Sequence, residues 1–207
     1  RNLYTVAADN TRLDFEASSK SDPVFRATLL APDEATAQDI VDWTVSPRFG
    51  TVGDTAVLGS IENSTAALLT PPQAPYWYVY AQTTPGERTL IDEYLTAQQD
   101  RPELLFVGSK DGMLHAFRTN PENPSDPDNG TEAWAFIPYD VAQRLNADRV
   151  AGEIDAYPDG SPTLVSAKVG GEWRTILISG EGHGGRTTAE SEPGVSTAFT
   201  VELPIPS

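Results

Sequence analysis

The chain has 207 residues, 39% of them hydrophobic, no cysteine and a formal net charge of −16. Such a charge repels phosphate backbones and anionic membrane faces, which argues against nucleic acid and anionic lipid as partners, and the missing thiols exclude thiol catalysis, disulfides and cysteine-ligated zinc. No apolar run approaches the ~18 residues of a spanning helix, no signal peptide is legible, and the opening Arg1 marks a processed or excised piece.

In chain order, Asn2–Val6 (NLYTV) is a short strand and Leu13–Glu16 its expected hairpin partner. A helix is predicted to begin around Pro32, near its N1 position. Asp33 and Glu34 place negative charge in the first turn, where the helix dipole favours it. Ala35, Ile40, Val41 and Trp43 supply its apolar face, and Pro47 stops it. Ile91–Ala97 predicts a second, shorter helix.

The rest reads as strands with an internal repeat. Gly53–Pro72 contributes a small-residue strand (NSTAALL) and Pro102–Gly112 a fully apolar one (LLFVGS). Met113–Thr119 gives an alternating strand (MLHAF) and Glu132–Pro138 a fourth (AWAFIP). Tyr157–Gly171, Glu172–Gly185 and Ser196–Pro206 repeat the first three. Asp111-Gly112 is a tight hairpin signal. Four antiparallel strands, one of them apolar on both faces, describe a β-propeller blade. A β-sandwich is the rival, because single strands look alike in both; the repeat order favours the propeller.

The fold class expected is therefore all-β: propeller-like, quinoprotein-like blades of four antiparallel strands in an incomplete ring, with one or two short helices near the N-terminus. Residues 1–52 form a strand and helix segment packing on the propeller. Residues 53–138 form the first readable blade, and 139–207 a second one truncated at its third strand, all within one structural domain. Segments 63–69, 103–108, 113–118 and 132–137 should be consecutive antiparallel strands of one sheet. Segments 161–167, 173–179 and 197–203 should form the next, packed face to face with it.

Chemistry candidates are few. PSDPDNGTE (Pro124–Glu132) alternates acids around a glycine, as Ca²⁺ loops do. Asp126, Asp128 and Glu132 are the candidate Ca²⁺ ligands, assisted by Thr131 or loop carbonyls. Pro127 and the spacing depart from an EF-hand, and a solvated hairpin tip competes. SGEGHGGR (Ser179–Arg186) is flexible enough to cradle an anion, but phosphate-loop spacing is absent and a turn at a blade edge is the simpler reading. His115 and His183 are the only histidines. His115 alternates with apolar neighbours and reads as a packed, hydrogen-bonded residue. No Ser-His-Asp arrangement can be argued from the two. Asp111 reads as a turn residue, and Asp159 as the cap of the next turn. Nothing points to an organic cofactor.

VGSKDGMLHAF, EAWAFIP, PDGSPTL and WRTILISGEGHGGR, in that order, resemble the C-terminal propeller domain of the PilY1/PilC family of type IV pilus tip proteins. RNLYT and LGSIENSTAALLTPP resemble further family features, and the likeness is strongest over residues 101–186. Lys110 stands where the family has asparagine, TAFTVELP replaces a family strand, and Thr187–Val195 resembles an insertion. The family's Asp-rich calcium loop is not found here. The resemblance implies a non-enzymatic adhesin and assembly factor at the pilus tip, exported to the cell surface. It would support pilus biogenesis, twitching motility and surface attachment. Implied partners are pilus subunits (minor pilins) and host or abiotic surface ligands. A quinone-dependent dehydrogenase-like propeller and a generic protein-binding propeller are the alternatives. The first needs a Ca²⁺, a catalytic Asp and stacking aromatics, which are not legible here. Thr119–Thr131 and Thr187–Val195 are the loops expected to meet partners.

Overall fold

The computed structural model describes residues 2–46, 58–74, 84–154, 157–169, 172–180 and 198–203. In β1 (Leu3–Val6) the buried Leu3 and Thr5 alternate with half-buried Tyr4 and Val6, and β2 (Arg12–Asp14) pairs antiparallel with it as expected. A 3₁₀ turn over Ala17–Ser21 leads into α1 (Pro23–Thr28), where Asp22 caps the Val24 amide and Pro23 sits in the first turn. In α2 (Glu34–Val45) Asp33 is itself the cap, accepting from the Thr36 amide at 2.7 Å. Pro32 therefore precedes the helix and does not open it. The expected stop, Pro47, lies outside the described residues.

The strands β3 (Ala67–Leu69), β4 (Leu104–Ser109), β5 (Met113–Arg118) and β6 (Glu132–Phe136) are consecutive antiparallel neighbours, as the repeat predicts. The segments β7 (Thr163–Val169), β8 (Glu172–Gly180) and β9 (Ala198–Leu203) form a separate antiparallel sheet in that order. Two expectations need correction. The first sheet is not a four-stranded antiparallel unit. It is six-stranded and mixed, in the order β2-β1-β6-β5-β4-β3, because β1 runs parallel to β6 with Leu3 opposite Ala135. Nor are the helices confined to the N-terminal region. α3 (Pro85–Ala97) starts six residues before the predicted Ile91, fixed by a capping box in which Thr84 and Glu87 each satisfy the other's amide. α4 (Tyr139–Ala151) lies within what was read as the second blade; it buries Val141, Ala142 and Leu145 and ends on Gly152 at φ 80°.

The pleat explains the layers. Successive side chains point to opposite faces of a strand. Met113 and Ala135 face one side, where α1, α2 and α4 cover them with Phe25, Leu29, Ile40, Val41, Val141 and Leu145. Leu114, Ala116, Phe106 and Leu104 face the other side, where Leu177 of β8 and Leu164 of β7 pack against them. The second sheet is thus packed on one face of the first, as expected, and a helical layer covers the opposite face.

The seam between the sheets is built from small residues. Gly108 approaches Pro158 so closely that a Cβ would lie 1.8 Å from the Pro158 carbonyl oxygen. The Gly108 amide donates to Ser64 Oγ at 3.0 Å, and Ser64 Oγ and Ser179 Oγ both donate to the Gly160 carbonyl. The Asp159 carboxylate accepts from Asn63 Nδ2 at 3.0 Å, across the seam.

Candidate functional site

The β4–β5 hairpin turns over Lys110, Asp111 and Gly112, with Ser109 opposite Met113 and Gly112 at φ 89°, a conformation that favours glycine. The turn directs Asp111 inward. Its Oδ1 accepts from the Met113 amide at 3.1 Å, and its Oδ2 accepts from the Gly59 amide at 3.1 Å. His115 Nε2 lies 3.0 Å from both carboxylate oxygens and 3.1 Å from Ser109 Oγ, whose hydroxyl donates to Asp111 Oδ1. The other ring nitrogen, Nδ1, lies 2.7 Å from Glu132 Oε1. Phe117 stacks on the imidazole at 5.7 Å. His115 is 0% exposed, and Asp111 and Ser109 are each 1% exposed.

Glu132 reaches the ring because the β5–β6 register shifts between Ala116 and Phe117, which sets Glu132 opposite Phe117. Two carboxylates then flank one imidazole. Burial by itself would depress the histidine pKa, but the hydrogen bonds and charges of Asp111 and Glu132 overcome it and raise the pKa. For Asp111 burial pushes upward, and the His115 bond and charge, the Ser109 hydroxyl and the Gly59 amide reverse it, leaving the carboxyl below its ordinary range.

Ser109, His115 and Glu132 have the connectivity of a nucleophile relay, serine on one ring nitrogen and a carboxylate on the other. A relay needs a histidine with a free lone pair facing the serine. Here Nε2 also faces Asp111, and the two flanking carboxylates raise the ring's pKa, favouring a proton on each nitrogen. The serine hydroxyl already donates to Asp111. The arrangement clamps the Gly59 segment, the hairpin and β6 together.

The three candidate Ca²⁺ ligands do not converge. Asp126 and Asp128 share the loop between β5 and β6, while Glu132 turns to His115. Asp126 Oδ1 accepts from the Asp128 amide at 3.0 Å and Oδ2 from Asn120 Nδ2 at 3.0 Å, bonds that lower its pKa. The Thr131 hydroxyl donates to the Asp128 carbonyl at 2.6 Å. Among the described residues no three histidine or acidic side chains are grouped to hold a metal. The loop does border an open groove of about 340 Å³, lined among others by Asp100, Glu103, Arg118, Asp126, Asp128 and Asn129. Of the glycine-rich stretch Ser179–Arg186, residues 181–186 with His183 lie outside the described residues, as does Thr187–Val195.

Sequence reasoning placed His115 correctly as a packed, hydrogen-bonded residue but missed Glu132 and Gly59 as members of its cluster. Glu132 was legible only through the bulge, which no local residue announces.

No protein-family model and no solved structure matches the chain. It is 34% identical over 144 residues to a type IV pilus biogenesis factor PilY1 homolog of Xylella fastidiosa, covering 68% of this chain and 9% of that protein. It is likewise 34% identical over 135 residues to the type IV pilus biogenesis factor PilY1 of Pseudomonas aeruginosa strain PAO1, covering 63% of this chain and 11% of that protein. The same figures hold for PilY1 of P. aeruginosa strain PAK. The chain spans about a tenth of the length of the curated relatives it matches.

Proposed function

Because the chain belongs to the PilY1 family over the segment it shares with those biogenesis factors, we propose that it works in type IV pilus biogenesis as a binding scaffold of a tip-associated, exported adhesin and assembly factor. In this reading it supports twitching motility and surface attachment. In the same reading the antiparallel runs β3–β6 and β7–β9 would be successive propeller-like blades. The kinship is the observation that carries the reading.

The chemistry of the buried cluster agrees with a non-enzymatic role. His115 is shut away from solvent between two carboxylates, so this histidine, despite its relay-like connectivity, is committed to structure. Function then falls to surface loops on a rigid scaffold, where binding usually resides. Thr119–Thr131 is such a loop, held in shape by its own Asn and Asp side chains. Its partners are pilus subunits such as minor pilins, or ligands on host or abiotic surfaces.

The test is a strain whose only copy of the gene has Asn120–Asn129 replaced by a short Gly-Ser linker. The core clusters contain none of these residues. We expect the protein to be made and folded, with surface attachment or piliation reduced. Wild-type piliation together with wild-type attachment would remove this loop as the partner face.

A further inference from the structure

Asn129-Gly130 is the only Asn-Gly pair in the chain. Glycine after asparagine leaves the next backbone nitrogen unhindered, because no Cβ shields it from the side-chain amide carbon. Gly130 is exposed, has φ 77°, and has no atom within 4 Å of where a Cβ would stand. The pair is therefore sterically open to intramolecular attack.

Hydrogen bonds oppose that attack at both reacting groups. The Gly130 amide, the nucleophile, donates to the Arg118 carbonyl at 2.9 Å. Asn129 Oδ1 accepts from the Asn120 amide at 2.5 Å. Asn129 Nδ2 donates to the Asn123 carbonyl at 3.0 Å and the Asn120 carbonyl at 3.5 Å. Asn120 is pinned in turn, donating from Nδ2 to Asp126 and accepting at Oδ1 from the Asn123 amide at 3.1 Å. Every polar atom of the Asn129 side chain is committed, within a loop whose neighbours Pro127, Asp128 and Gly130 are all exposed.

We propose that Asn129 is a self-modification site, a deamidation centre gated by this lattice. When the loop opens, the Gly130 nitrogen attacks Asn129 Cγ. The N–Cγ bond forms, the Cγ–Nδ2 bond breaks, and ammonia leaves with the proton from the Gly130 nitrogen. Water then opens the succinimide ring at either carbonyl, leaving aspartate or isoaspartate at position 129. No oxidant, reductant or cofactor takes part. The product has lost both N–H donations to the carbonyls of Asn120 and Asn123. It also adds a carboxylate to the groove rim that already holds Asp126 and Asp128. Because ammonia is lost, the conversion is one-way; it removes the two Nδ2 donations and permanently adds negative charge to the loop.

Peptide mapping by mass spectrometry tests this on the full chain, incubated at mildly alkaline pH either folded or in urea. Asp126→Ala, which releases Asn120, and Gly130→Ala, which restores the shielding Cβ, are compared with it. The folded chain should convert at Asn129 at least about tenfold more slowly than the unfolded one, as expected when reaction requires local opening. Asp126→Ala should fall between the two, and Gly130→Ala should suppress conversion in urea. Equal rates in folded and unfolded chain, or an Asp126→Ala variant as slow as the parent, would overturn the gating. Absence of conversion at Asn129 in urea would overturn the site.

Discussion

Replacing His115 with alanine removes the cation that holds two carboxylates in one buried cluster. Asp111 is 1% exposed and keeps the Gly59 and Met113 amides and the Ser109 hydroxyl as partners, while the Glu132 side chain, 16% exposed, loses its 2.7 Å bond to the ring. Breaking a buried ion pair by deleting one partner costs about 3–5 kcal/mol, because the remaining charge is left uncompensated. A domain of this size is stable by only ~5–15 kcal/mol in total, so the loss is a large share. Urea unfolding followed by circular dichroism measures it. The pH dependence separates the ion cluster from mere packing. The His115 pKa is raised by folding, so its stabilisation is fully present below the unfolded value of about 6.5 and is lost as pH rises through the folded value. The Asp111 pKa is lowered, so its share is present above the unfolded value of about 3.9 and is lost as pH falls through the folded value. His115→Gln, which keeps hydrogen bonding without charge, should abolish the alkaline loss. A His115→Ala cost under ~1 kcal/mol, the range of an exposed ion pair, or an unchanged alkaline limb in His115→Gln, would refute the clamp.

Two further outcomes follow from the geometry. Gly108→Ala places a Cβ 1.8 Å from the Pro158 carbonyl oxygen and should destabilise the seam by about 3 kcal/mol or more, read as a lowered urea midpoint; an unchanged midpoint would mean that the sheets do not meet there. Glu132→Gln should leave the calorimetric Ca²⁺ titration of the chain unchanged, because that carboxylate belongs to His115. A changed isotherm would return Glu132 to one ligand set with Asp126 and Asp128.

The strands were legible because each is short, apolar and punctuated. LLFVGS and MLHAF flank Asp111-Gly112, and the hairpin forms where that dipeptide predicts it. The second sheet likewise follows its segments in order. What escaped was non-local. The parallel pairing of β1 with β6 joins residues more than 130 positions apart, and only the tertiary fold reveals it. The helix α4 was missed although Val141, Ala142 and Leu145 have helical spacing, because Pro138 supplies no side-chain cap and the repeat suggested a blade. The start of α3 carried its signal openly in Thr84-Pro85-Gly86-Glu87. In the site, the hydrogen-bonded His115 was legible from its strand, but its second carboxylate depends on a bulge. Asp126, Asp128 and Glu132 looked alike in sequence; the strand takes Glu132 away from the loop acids.

The most direct measurement is the number of surface pili in a strain whose only copy of the gene carries Phe106→Ala. Phe106 is 0% exposed at the sheet–sheet core beside Trp134, at 5.7 Å between ring centres, and its truncation should cost about 3–5 kcal/mol. Limited proteolysis of the purified variant establishes whether the domain is unfolded. A binding scaffold for pilus biogenesis predicts that loss of the fold is accompanied by fewer surface pili and weaker attachment. Normal piliation with a demonstrably unfolded domain would contradict that role.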